Sequence, residues 1–210
     1  MNSNFLEILL NWSKPYISGI DLRHILDKSA DSRQAIIKRA IGKGYLIPIR
    51  RDLYLIKDAK RGLLNSFEIA MIIYGPSYVS FESALSYHGW IPEAVRTTTC
   101  ASVKRAKEFE TPIGIFSYER IPIKAFSFGV GQHQQDALTL FIASPMKAIA
   151  DIVYARKRTW DSMSDLSEDL RIEIESFQNF DRKLLIELIE NYPSSRVKKT
   201  LNVLLKGLPQ

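Results

Sequence analysis

Cysteine is almost missing from this chain: of 210 residues only Cys100 carries a thiol. A single thiol excludes an internal disulfide and any metal site built from several cysteines. Long apolar runs are missing too. Among the longest is Ile69-Ala70-Met71-Ile72-Ile73-Tyr74, far short of the roughly 18 residues that suggest a membrane span. The opening MNSNFLEILLNWSKP lacks a basic stretch and carries Glu7 and Trp12, so it does not read as a signal peptide. No internal repeat and no low-complexity tract interrupts the chain. Histidine is scarce: His24, His88 and His133 stand at no spacing suited to one metal. The expectation is a protein without metal, cofactor or membrane, in the cytoplasm.

What is present is an ordinary globular composition, 46% hydrophobic and 25% charged, enough to bury a core. The formal charge of +6 is unevenly placed. Residues 1–62 hold twelve Lys and Arg against six Asp and Glu, while the remainder carries 17 of each sign and is neutral. A localised basic surface concentrates polyanions and supplies the phosphate contacts that dominate nucleic-acid affinity.

The same first third has a helical rhythm followed by a hairpin. FLEILLNW predicts a short helix over residues 5–12. Ser18-Gly19 opens a second helix, IDLRHIL, with Ile20, Leu22, Ile25 and Leu26 as its buried stripe. After a turn at Asp27-Lys28-Ser29-Ala30, a third helix starts near Asp31 or Ser32, either able to cap it, and stops at Gly42-Lys43-Gly44. YLIPIRRDLYLI then reads as two short strands around Arg51-Asp52. Helix, turn, helix and hairpin is the order of a winged helix-turn-helix.

The third helix carries the chemistry. Ile36, Ile37, Ala40 and Ile41 cluster on one side, toward a core. The other side presents Asp31, Gln34, Ala35, Lys38 and Gly42, with Ser32 and Arg39 on its flank. A helix face of short, polar and basic residues fits a major groove, where Gln pairs with adenine and Lys or Arg with guanine. Arg33 falls nearer the core side and is expected to serve the helix start or a phosphate. Arg50 and Arg51 sit at the hairpin tip, positioned for a backbone or minor-groove contact. The candidate DNA-binding set is therefore Ser32, Arg33, Gln34, Lys38, Arg39, Arg50 and Arg51. The same module also serves elsewhere as a protein-docking scaffold, and these basic residues also fit a merely solvated face.

Beyond residue 63 the pattern is mixed. LLNSFEIAMIIYG and SFESALSYHG read as helices, the second capped by Ser80 and stopped by Gly89; TTTCASV, GIFSYERI, AFSFGV and ALTLFIA read as strands. Ser144-Pro145 starts the helix MKAIADIVYA. DLSEDLRIEIESF, DRKLLIELIENY and SSRVKKTLNVLLKG predict three amphipathic helices. Phe116, Tyr118, Phe126 and Phe128 alternate as if along two strands, Cys100 reads as a buried small hydrophobe, and Gly129-Val130-Gly131 reads as a hairpin turn rather than a phosphate loop. His88, at a helix end, would favour the dipole as an imidazolium. The fold class is α+β: a winged helix-turn-helix over 1–62, then over 63–210 a mixed α/β domain with a small sheet and a helical tail.

Leu22 through Arg50-Arg51-Asp52-Leu53-Tyr54 resembles the winged-helix half of AbiEi-type antitoxins, whose wing carries a glycine where Asp52 stands here. The second half is similar to the same family in Tyr78 through Gly89 with Ile91-Pro92, in Thr111-Pro112-Ile113-Gly114 with Phe116 and Tyr118, and in Ala143-Ser144-Pro145-Met146-Lys147-Ala148 with Asp151. The resemblance fades after about residue 155. It implies a non-enzymatic autorepressor that binds inverted repeats of double-stranded DNA in its own promoter. It also implies a C-terminal domain that counteracts a cognate nucleotidyltransferase-like toxin, directly or indirectly. Arg196, Lys198 and Lys199, on a helix with Val197, Leu201, Leu204 and Leu205 turned inward, form the candidate toxin-control patch. The alternative is a DNA-binding protein whose C-terminal domain is an active or degenerate nuclease, with Glu82, Asp136 and Asp151 as its carboxylates.

Overall fold

The computed structural model describes residues 3–57, 65–92, 96–135, 138–179 and 181–207. The fold is mixed α+β. It divides into two units: Met1–Asn65 with Phe109–Gly114, and Ser66–Glu108 with Ile115–Gln210. The boundary expected between residues 62 and 63 lies outside the described residues.

In the first unit the order is α1 (Ser3–Leu10), β1 (Tyr16–Ser18), α2 (Gly19–Leu26), α3 (Ala30–Gly42), β2 (Leu46–Arg50) and β3 (Leu53–Ile56). The strands form one antiparallel sheet in the order β1-β3-β2. Phe5 and Leu9 of α1, Leu22 and Leu26 of α2, and Ala40 of α3 meet Ile17, Leu46 and Ile56 in its core. Ile36, Ile37 and Ile41 pack against that core, as the helical period requires.

Local chemistry sets the ends of these helices. Ser18 caps α2 through a capping box: its Oγ accepts from Asp21 N at 3.2 Å, and Asp21 Oδ2 accepts from Ser18 N at 2.9 Å. Such a cap contributes about 0.5–2 kcal/mol. Ser29, not Asp31 or Ser32, caps α3, its Oγ accepting from Ser32 N at 3.4 Å. The helix thus starts at Ala30, and Ser32 falls in its first turn. Ile20 is a second correction. It is 58% exposed, because Gly19 at the head of α2 turns inward and Ile20 outward.

Gly19 is glycine for a steric reason. Its N–H donates to the Asp52 carbonyl at 2.8 Å, and a Cβ there would lie 2.8 Å from Asp52 Cβ. Asp52 itself adopts φ +58°. The hairpin turn therefore keeps the left-handed conformation that a glycine would adopt freely, and aspartate is one of the few other residues that tolerate it.

After β3 the order is α4 (Ser66–Ile73), β4 (Ser77–Val79), α5 (Phe81–Tyr87), β5 (Thr97–Ser102), β6 (Lys107–Thr111), β7 (Gly114–Arg120), β8 (Val130–Gln135), β9 (Leu138–Ala143), α6 (Pro145–Arg156) and the tail helices α7 (Met163–Leu170), α8 (Arg182–Asn191) and α9 (Ser195–Gly207), all in the second unit except Phe109–Thr111 of β6 and Gly114 of β7. The sheet is six-stranded and mixed, in the order β6-β7-β5-β4-β9-β8. Thr97–Ser102 runs parallel to Ile115–Arg120, Val79 pairs parallel with Ile142, and the other described ladders are antiparallel. Register puts Tyr118, Cys100, Val79 and Ile142 on one face, where Tyr118 Oη donates to the Ala70 carbonyl of α4. Tyr78 and Ser80 alternate to the other face, toward α6.

Several expectations need correction here. AFSFGV is not a strand: a 3-10 turn at Ile123–Ala125 leads into a loop, and Phe126 stacks edge-on against Tyr78 at 5.2 Å. Only Phe116 and Tyr118 of the aromatic set lie in a strand, both buried. Gly129 is not a hairpin tip. With φ +70° it enters β8, its carbonyl accepts from Ser144 N, and a Cβ would lie 2.9 Å from Lys147 Cβ. DLSEDLRIEIESF breaks at Arg171, which takes φ +54°, and resumes as a 3-10 helix over Ile174–Asn179.

Candidate nucleic-acid interface

α3 and the β2–β3 tip carry the candidate DNA-binding residues. Ser32, Gln34, Lys38 and Arg39 are exposed on α3, and Arg50 and Arg51 are exposed at the tip. Their places differ in kind. Arg33 is half-buried, and its Nη1 donates to the Lys28 carbonyl at 3.0 Å, which ties down the helix start. Arg39 Nε folds back on the Ala35 carbonyl at 3.1 Å. Ser32 Oγ accepts from Ser29 Oγ at 3.0 Å. Arg50 Nη1 reaches the Arg51 carbonyl at 3.3 Å, across the tip.

Between α3 and β3 lies a shallow groove of about 550 Å³ lined by Asp31, Gln34, Ala35, Ile37, Lys38, Ile41 and Tyr54. Tyr54 was not among the residues singled out from sequence. A Tyr in a β run reads as core, and only the cross-sheet position of β3 brings its ring beside α3. Burial and the nearby Asp52 charge push its phenol above the ordinary value, so it is a hydroxyl donor at neutral pH.

The fold has a solved counterpart. The chain is similar over 98% of its length to the crystal structure of the RV2827C protein from Mycobacterium tuberculosis, covering 76% of that chain with a TM-score of 0.64 at 13% identity. No family model matches the chain, and no curated protein matches it. At that identity the likeness is one of fold.

The second unit holds a buried polar hub. Asp151 is fully buried on α6, and so is Lys147 one turn before it. Lys147 Nζ donates to Asp151 Oδ1 at 2.6 Å, and Tyr192 Oη donates to the same oxygen at 3.0 Å. Tyr78 Oη and Ser80 Oγ donate to Oδ2 at 2.7 and 2.8 Å. Ser80 therefore precedes α5 as its cap residue but spends its hydroxyl on Asp151 and makes no side-chain cap bond. Burial pushes the Lys147 ammonium below its ordinary value against the pull of Asp151, and burial raises the Tyr78 and Tyr192 phenols. The sequence signal was a Lys and an Asp four apart in a helix whose neighbouring residues Met146, Ala148, Ile149, Ala150, Ile152 and Val153 are apolar.

Of the carboxylates weighed for a nuclease, Asp151 has both oxygens occupied and no exposure, and Asp136 lies outside the described residues. Glu82 belongs to an ion network. Arg156 grips it through Nη1 and Nη2, the latter at 2.9 Å, and also donates from Nε to Glu119 at 3.0 Å. His88 differs from expectation. Burial holds its imidazole below the ordinary value, so the ring is neutral at pH 7, and its Nε2 donates to the Ala143 carbonyl at 2.9 Å.

The residues proposed for toxin control lie on α9, each with its own surroundings. Lys198 Nζ donates to the Glu190 carbonyl near the end of α8, and Lys199 Nζ pairs with Asp161 at 3.2 Å, while Arg196 is half-exposed. Lys198 and Lys199 thus reach to different sides of α9.

Glu82 gives a pH signature. Burial raises its carboxyl, but the Arg156 hydrogen bonds and charge outweigh that and hold it below its ordinary value. A carboxyl depressed by folding adds stability above its unfolded value, and that stability is lost as pH falls through the folded one. Denaturation midpoints should therefore fall as pH drops below about 4.3. The fall should be shallower in Glu82→Gln, and equal slopes in the two proteins would remove Glu82 from the account.

Proposed function

We propose that the first unit is a winged helix-turn-helix that binds double-stranded DNA, and that the chain is a transcriptional autorepressor and antitoxin. The observation that carries this reading is the solvent face of α3. Gln34, Ala35 and Lys38 stand exposed there, beside the half-buried Ile37 and Ile41, in the part of the chain that holds the whole net positive charge. In this reading α3 enters the major groove, Gln34 and Lys38 face base edges, Arg33 fixes the helix start, and Arg50 and Arg51 contact the backbone or minor groove. Ser32 and Arg39 flank the helix within reach of phosphates. Inverted repeats in its own promoter are the proposed operator, and the second unit counteracts a nucleotidyltransferase-like toxin. Both follow the resemblance of the sequence to AbiEi-type antitoxins.

The test uses the full-length protein. Titrated onto its own promoter DNA across a salt series, it should retard the fragment with an affinity that falls steeply with salt. The DNA should stay intact when divalent metal is added. Cleavage would favour the nuclease reading, and salt-independent or absent binding would remove the DNA reading. Co-expression with a nucleotidyltransferase encoded beside the gene should restore growth that the enzyme alone arrests. Continued arrest would remove the antitoxin role and leave the DNA reading standing.

A further inference from the structure

Asp31 is the second residue of α3. It is exposed, and with Gln34, Ala35 and Lys38 it lines the groove between α3 and β3. Of these four, Asp31 is the one whose charge opposes DNA. Nothing on its own helix neutralises it. The positions three and four residues on, where a cation would pair with it, hold Gln34 and Ala35. Arg33, two residues on, turns back to the Lys28 carbonyl. Among the described residues the Asp31 carboxylate has neither a hydrogen bond nor an ion pair.

A free carboxylate on a face that meets DNA acts in two ways. Phosphates repel it, so it lowers affinity for every sequence alike. Toward base edges it is an acceptor only. In the major groove guanine offers O6 and N7 and thymine O4, all acceptors, so both are disfavoured. An exocyclic amino group gives a charge-assisted hydrogen bond instead. Cytosine N4 offers that group without the N7 acceptor that stands beside the adenine amine. The N-terminal residues of a recognition helix are the ones that reach base edges. Asp31 and Lys38 stand about 10 Å apart along the helix, roughly three base-pair steps.

We infer that Asp31 is a specificity-determining residue, whose carboxylate accepts from the N4 amino group of a cytosine in the major groove, next to the base that faces Gln34. It selects that cytosine partly by penalising the other bases. The inference rests on α3 entering the major groove.

The test compares the full-length protein with its Asp31→Ala variant on the promoter fragment, on scrambled DNA, and on promoter fragments that each carry one changed base pair. In the parent, replacing one C·G pair by T·A should weaken binding about tenfold. In D31A the same replacement should cost less than about twofold. The pairs that Gln34→Ala and Lys38→Ala release should keep their effects in D31A, which shows α3 still seated. D31A should also bind scrambled DNA severalfold tighter than the parent, with the gain shrinking as salt rises. Glu7→Gln, which removes the same charge from an exposed position on α1, should keep the parent's base pattern. An Asp31 that served the helix dipole alone would change stability and leave the base pattern as it is. An unchanged pattern in D31A therefore overturns the inference, as does release of the same pair by E7Q or a released pair without cytosine. Those results leave the DNA reading standing, whereas a parent that fails to bind the promoter removes that reading and this inference together.

Discussion

Exchanging Asp151 for alanine should destabilise the second unit by about 3–5 kcal/mol, the cost typical of leaving a buried ion without its partner. The substitution strands Lys147, which has no exposure and whose recorded ion pair is with Asp151, and it removes the acceptor of Tyr78, Ser80 and Tyr192. The measurement is the denaturant midpoint at constant slope. A companion variant separates charge from packing. Replacing both Lys147 and Asp151 by apolar residues of similar volume removes the stranded charge and should recover most of the loss. Arg158→Ala breaks a pair whose side chains are 45% and 43% exposed, and should cost no more than about 1 kcal/mol. If D151A shifts the midpoint no further than R158A, the hub does not hold the unit together.

On the promoter fragment, Gln34→Ala and Lys38→Ala should each weaken specific binding by about 1–3 kcal/mol, as loss of a base-edge contact does. Scrambled DNA should be affected much less by Gln34→Ala. Arg51→Ala should weaken both fragments alike and lower the salt slope by about one. Arg33→Ala belongs to another class. Its guanidinium is committed to the Lys28 carbonyl, so its loss should loosen the first turn of α3 before it alters base preference. Wild-type affinity in both the Gln34 and Lys38 variants would displace α3 from the groove.

The helices of the first unit were legible because their apolar period is local. Leu22 and Leu26, or Ala40 with Ile37 and Ile41, follow from spacing alone. Strand β1 was not legible: Tyr16–Ser18 is three residues long and exists through its pairing with β3. In the second unit β5, β7 and β9 were readable as β-rich runs, whereas β8 was hidden by its polarity. GQHQQ suits an edge strand, which carries polar side chains because one side of it faces no neighbour. The alternation in AFSFGV misled for the opposite reason. A period of two was present, but the chain turns as a 3-10 helix over Ile123–Ala125 and is not extended there, and Phe126 found its partner in Tyr78 instead. The polar face of α3 could be read from the helical wheel, but Tyr54 beside it could not, since register across β3 is a tertiary fact. The Asp151 hub was visible only as a Lys and an Asp one turn apart.

The donors on Asp151 come from far along the chain: Tyr78 and Ser80 stand 73 and 71 residues before it, and Tyr192 stands 41 after. Contacts of such reach cannot nucleate folding, because long loops must close before any of them forms. During synthesis the carboxylate meets Lys147 at once, a single turn away, but gains its last hydroxyl only after Tyr192 has left the ribosome. The second unit therefore passes from a partly satisfied interior to a complete one in a late step, and the amides of β4 and α6 should become slow to exchange together rather than in sequence order.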